Sequence, residues 1–96
     1  MRVQIRRLAR RDIDSAFDWY LERDDQTATA FLLEVDRVVE AMRQNCEQFP
    51  VVYRDLRRAL LKQFPYAVYF KAEGDHVTVV AVAHQRRAPR VWKRRR

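Results

Sequence analysis

The run Gln63-Phe64-Pro65-Tyr66-Ala67-Val68-Tyr69-Phe70, the turn Glu73-Gly74-Asp75-His76 and the return Val77-Thr78-Val79-Val80-Ala81-Val82-Ala83 decide the fold. Both runs are rich in β-branched and aromatic residues, and Gly74, the only glycine in the chain, opens a Gly-Asp pair between them. That combination predicts two antiparallel strands joined by a two-residue hairpin. Alternation puts Tyr66, Val68 and Phe70 on one face of the sheet and Ala67 and Tyr69 on the other.

Outward from the hairpin, Arg2-Val3-Gln4-Ile5-Arg6 alternates polar and apolar residues, the pattern of a half-buried strand whose arginines suit a sheet edge. From about Ala9 the period changes. Ile13, Ala16, Phe17, Tyr20 and Leu21 form one stripe of an amphipathic helix, with Asp12, Asp14, Asp18 and Glu22 opposite. After Arg23-Asp24-Asp25-Gln26, Asp25 or Thr27 can cap a second helix. Its stripe runs Ala28, Phe31, Leu32, Val35, Val38, Val39, Met42 and Cys46, and the short polar joint makes the two helices an antiparallel hairpin. Pro50 ends it, Val51 to Asp55 read as a connection, and Leu56 to Lys62 as a basic third strand. The sum is an α+β domain over residues 1–96, ordered β-α-α-β-β-β, with a helical hairpin packed on a largely antiparallel four-stranded sheet.

Composition bounds the function. The 96 residues carry a net charge of +7 that is unevenly spread. Between Asp12 and Pro50 ten acids face three bases, whereas the rest of the chain has 17 bases and three acids. A polyanion would therefore be drawn to one side and repelled by the other. The segment from His84 holds seven bases and no acid, which predicts a basic tail over about residues 88–96 that leaves the sheet edge and repels itself. The helices are expected to cover one sheet face, leaving the other, lined by bases, for a second molecule. No apolar run reaches the roughly 18 residues of a membrane span, and the amino terminus lacks the apolar centre of a signal peptide. A lone Cys46 has no cysteine partner for a disulfide or zinc site. A cytoplasmic chain with no metal, no cofactor and no membrane contact is the expectation. Trp19 stands off the main stripe, so it either widens the buried face or anchors a partner. Cys46, on the stripe, reads as a buried small hydrophobe.

Three segments together resemble a known family: Ala9-Arg10-Arg11-Asp12-Ile13 with Tyr20, Arg58-Ala59-Leu60-Leu61-Lys62-Gln63-Phe64-Pro65-Tyr66, and His84-Gln85-Arg86-Arg87-Ala88-Pro89-Arg90-Val91-Trp92. They are similar to the RelE/ParE superfamily of bacterial toxins, and the Phe-Pro-Tyr strand and His-x-x-Arg-x-Pro-x-x-Trp ending resemble its ParE branch. One departure is visible, since members often have Ser-Pro before the first helix where this chain has Arg6-Arg7-Leu8. The resemblance implies the toxin of a type II toxin–antitoxin pair, neutralised by a small antitoxin. The ParE branch is associated with poisoning DNA gyrase, a topoisomerase. The RelE branch cuts messenger RNA on the ribosome.

These are different chemistries, one of binding and one of catalysis. A metal-free ribonuclease needs a base or acid and several cations converging on one phosphate. At the places where the ribonuclease branch carries lysines, arginines and a tyrosine, this chain has Arg58 and Leu60, then Ala67, Arg86 and Trp92. Two cations and a tyrosine hydroxyl are missing. A nuclease would have to rely on Arg58, His84 and Arg86, with His84 as the acid–base candidate because histidine titrates near neutrality. His84 has a plainer reading as a hydrogen bond that closes the sheet, and His76 is an exposed turn residue. The expectation is therefore a binding inhibitor with no catalytic residue. Arg58, Arg86, Arg87, Arg90, Trp92, Lys93 and Arg94 are its expected contacts to antitoxin or target.

Overall fold

The computed structural model of the chain describes residues 1–86 and 89–96. Its elements are β1 (Arg2–Ile5), α1 (Arg7–Leu21), α2 (Asp25–Gln44), a 3-10 turn (Cys46–Gln48), β2 (Val51–Tyr53), β3 (Leu56–Leu60), β4 (Tyr66–Glu73), β5 (His76–His84) and α3 (Arg90–Lys93). One sheet has the order β1-β5-β4-β3-β2, with β1 parallel to β5 and every other pair antiparallel. The α+β class and the helical hairpin agree with the sequence. No helix among the described residues is long and apolar enough to cross a membrane.

The sheet has five strands, not four. The extra one is β2, in the segment read as a connection, and it pairs with β3 through Val51–Arg57 and Tyr53–Leu56. Three residues are too few to show alternation. The turn that follows uses Arg54 at φ 51°, a left-handed position for which the sequence offers no glycine or asparagine. The β4–β5 turn matches its signature: Glu73 faces His76, and Gly74 takes φ 61° between them.

The β4–β5 register slips by one residue, Tyr69 facing Ala81 while Phe70 faces Val79, so Val80 is an inserted bulge. As a result Val79 and Val82 join the core under the helices, whereas Val80, Ala81 and Ala83 join a second cluster on the other face. On the helix side α1 buries Ala9, Ile13 and Ala16, and α2 buries Ala28, Phe31, Val35, Val38 and Met42. Tyr20, Phe31, Phe64 and Tyr66 knit helices to sheet edge-on, for example at 5.1 Å for Tyr20–Phe64 and 5.5 Å for Phe31–Tyr66. Cys46 is buried in the 3-10 turn just beyond α2. The cap of α2 is Asp24, one residue earlier than expected, accepting from the Thr27 N–H at 3.0 Å and its hydroxyl at 2.7 Å. Those bonds hold the Asp24 carboxyl below its ordinary pKa. Arg6 at the start of α1 makes no cap bond.

The tail is the larger correction. It does not leave the sheet edge, and the second sheet face is not open to a partner. From Pro89 the chain turns into α3 and lays Trp92 on that face, its ring stacked on Tyr69 at 4.2 Å and 12° and only 7% exposed. Ala67, Ala81 and Ala83 are the small residues that make room for the indole. The like-charge repulsion expected of the arginine run is relieved at long range: Arg95 pairs with Asp12 and Arg96 with Asp55. Arg6 also donates to the Arg95 carbonyl at 2.6 Å.

Candidate partner-binding groove

β5 is longer than the strand beside it. β1 covers it only from His76 to Val79, after which Arg6 donates to the Val79 carbonyl and the chain departs into α1. Beyond that point Gln85 N–H reaches the Pro65 carbonyl and Leu61 N–H the Tyr66 carbonyl, which fixes the hydrogen-bond phase of β4. In that phase the peptide groups of Val82 and His84 face away from β4, toward the uncovered side. Val82 N–H donates there to Asp12 Oδ2 at 2.9 Å. The same carboxylate takes both ends of the Arg95 guanidinium, Nη2 lying 3.3 Å from Oδ1. Asp12 thus occupies the Val82 N–H and ties α1 to the tail beyond α3, while the Val82 carbonyl and the His84 peptide group stay uncovered by β1.

The uncovered stretch forms one wall of a cavity of about 540 Å³. Its other walls are α1, through Asp12, Ser15 and Trp19, and the tail, through Val91 and Arg95. Trp19 is 50% exposed, which decides between its two readings: it does not widen the core. Its ring meets Tyr20 edge-on at 5.0 Å, and the Arg23 guanidinium lies 3.5 Å over it. An exposed indole held on two sides is a ready contact. Tyr20 at its back has a hydroxyl pKa raised by burial and by neighbouring Tyr66.

The expected site residues separate. His84 lies edge-on to Tyr66 on the helix side, at 5.5 Å, and its Nδ1 accepts from the Arg86 N–H at 3.1 Å. A neutral His84 therefore carries its proton on Nε2, and the ring fastens the end of the strand. Arg58 stands across from Tyr69 on the opposite face. There burial raises the Tyr69 hydroxyl pKa and the Arg58 charge opposes the rise. Arg58 Nε is buried without a hydrogen-bond partner among the described residues. Trp92 is core, and Lys93 is held over the Tyr53 ring at 4.8 Å. Arg86, Arg90 and Arg94 are exposed, and Arg87 lies outside the described residues. Sequence reading missed Asp12, Ser15, Val91 and Arg95. The signal for a docked tail was the set of small residues Ala67 on β4 and Ala81 and Ala83 on β5, which share one sheet face.

Set against known proteins, this fold is similar to that of a chain from a toxin–antitoxin system. It matches a chain of the chromosomal ParDE TA system from P. aeruginosa with a TM-score of 0.77 at 19% identity, over 88% of this chain and 95% of that one. No curated protein sequence matches. The family model for the ParE toxin of the type II toxin-antitoxin system, parDE, matches residues 3–89, and the chain belongs to that family.

Proposed function

We propose that this chain is a toxin held inactive by a cognate antitoxin and that, once released, it inhibits DNA gyrase by binding. The observation that carries the first half is the groove: a strand end whose Val82 carbonyl and His84 peptide group face away from β4 beyond the reach of β1, flanked by Trp19 and Val91. An extended antitoxin segment would pair with β5 at its far end, at the Val82 carbonyl and the His84 peptide group beyond the Asp12 contact, and set apolar side chains between α1 and the tail. Its acids would meet Arg86, Arg90 and the neighbouring tail bases. The separation of Arg58 and His84 onto opposite sheet faces supports binding over RNA cleavage, since a phosphate cannot be contacted by both at once.

The test is co-expression with the antitoxin and a groove variant. Ser15 is exposed and lines the groove, so Ser15→Arg fills it without touching the core. Antitoxin affinity should fall at least about tenfold, or about 1.4 kcal/mol, with the melting temperature nearly unchanged. Unchanged affinity in Ser15→Arg and in Trp19→Ala would place the antitoxin elsewhere.

A further inference from the structure

A second cavity, of about 490 Å³, lies beyond Arg95 from the groove, and five of the seven residues lining it are arginines: Arg6, Arg7, Arg94, Arg95 and Arg96, with Leu8 and Val80. The two ends of the chain build it together, the start of α1 from one side and the tail from the other. Arg6 is bonded to the Arg95 backbone, and Arg95 and Arg96 are held by Asp12 and Asp55, so the frame is fixed by carboxylates that do not line the cavity. Arg7, Arg10, Arg11 and Arg94 have no carboxylate within ion-pair reach among the described residues. Arg7, Arg10 and Arg11 follow helical spacing and share one side of α1, and all three are exposed.

This clustering works against the fold. Like charges three and four apart weaken a helix, and cations at its amino-terminal end oppose the helix dipole. The first turn of α1 has no acid and no capping side chain to offset them. A local arrangement that lowers stability without a packing reward is the mark of a surface kept for a ligand. The ligand must carry several negative charges at spaced positions.

We infer that this arginine face binds the phosphate backbone of double-stranded DNA. The cavity lining contains no aromatic side chain on which an unpaired base could stack, so single strands gain little there. It also offers only Leu8 and Val80 to apolar peptide side chains, and the uncovered strand edge opens into the other cavity. The inference stands apart from the groove, and groove variants such as Ser15→Arg leave it intact.

The test is fluorescence anisotropy of the purified chain with a labelled duplex of roughly 20 base pairs and mixed sequence. With about four phosphates engaged, raising salt from about 50 to about 200 mM weakens binding roughly 100-fold. Arg7→Gln/Arg94→Gln should lower the log–log salt slope by about two, at unchanged circular dichroism. Arg37→Gln/Arg43→Gln, which removes the same charge from α2, should leave that slope in place. No binding at the lowest salt overturns the inference, as does a slope that falls equally in both double variants. A glutamate-rich peptide that binds more tightly than the duplex at equal salt would make the face a protein contact instead. Arg11→Gln serves as a second, single-site check.

Discussion

Trp92 acts by burial, although its place among arginines invites a binding role. Its indole covers the alanines of β4 and β5 and stacks on Tyr69, so Trp92→Ala opens a large cavity between α3 and the sheet. The expected loss is about 3 kcal/mol, a fall of more than about 10 °C in melting temperature for a chain of this size. Trp92→Phe keeps part of the stack and should lose less than half of that. The partner of this anchor is the Asp12–Arg95 pair, whose side chains are 21% and 19% exposed. That burial lifts it above an ordinary surface ion pair. Asp12→Ala also orphans Val82 N–H and should destabilise by about 2 kcal/mol. A double-mutant cycle with Arg95→Ala should return a coupling of at least about 0.5 kcal/mol, and zero coupling would make the pair incidental.

Among the elements, those with a long period were readable and the short ones were not. α1 and α2 show three to five turns of apolar stripe, and β4 and β5 bracket a glycine turn, so propensity and burial pointed the same way. β2 and α3 have three and four residues, and tertiary contacts alone fix them. The groove was illegible for a related reason, because it exists only where β1 stops short of the end of β5. Arg86 and His84 were legible as a strand ending, but the opposite facing of Arg58 and His84 needed the paired register. α2 is joined to the sheet by Glu34, which accepts from the Lys62 N–H at 2.7 Å and from Arg37 at 2.9 Å. The Arg37 bond first, then that backbone bond, hold its carboxyl below the ordinary range. A depressed folded-state pKa gives stability that is present above about pH 4.3 and is lost as acid titrates the folded carboxylate. Glu34→Gln should therefore flatten the acid limb of the stability curve below about pH 4.3. Glu40, hydrogen-bonded by Arg43 and held at about 2, is at the surface, so Glu40→Gln should change that limb less despite the larger shift.

The whole molecule is bipolar, with an acidic helical side and a basic side built from both chain ends. The groove and the arginine cavity share Arg95, so an antitoxin segment seated in the first would lie against the second. Neutralisation as proposed would need no change of toxin fold, because occupancy and opposite charge would be enough to mask the basic surface. His84 serves as a strand fastener in this account, so RNA cleavage is not expected of it. The most direct measurement is supercoiling of relaxed plasmid by DNA gyrase with stoichiometric purified toxin, run beside primer extension on a translated message. Supercoiling should be lost and then restored by the antitoxin, with no message cuts. Full supercoiling together with cuts that vanish in His84→Ala would contradict inhibition by binding.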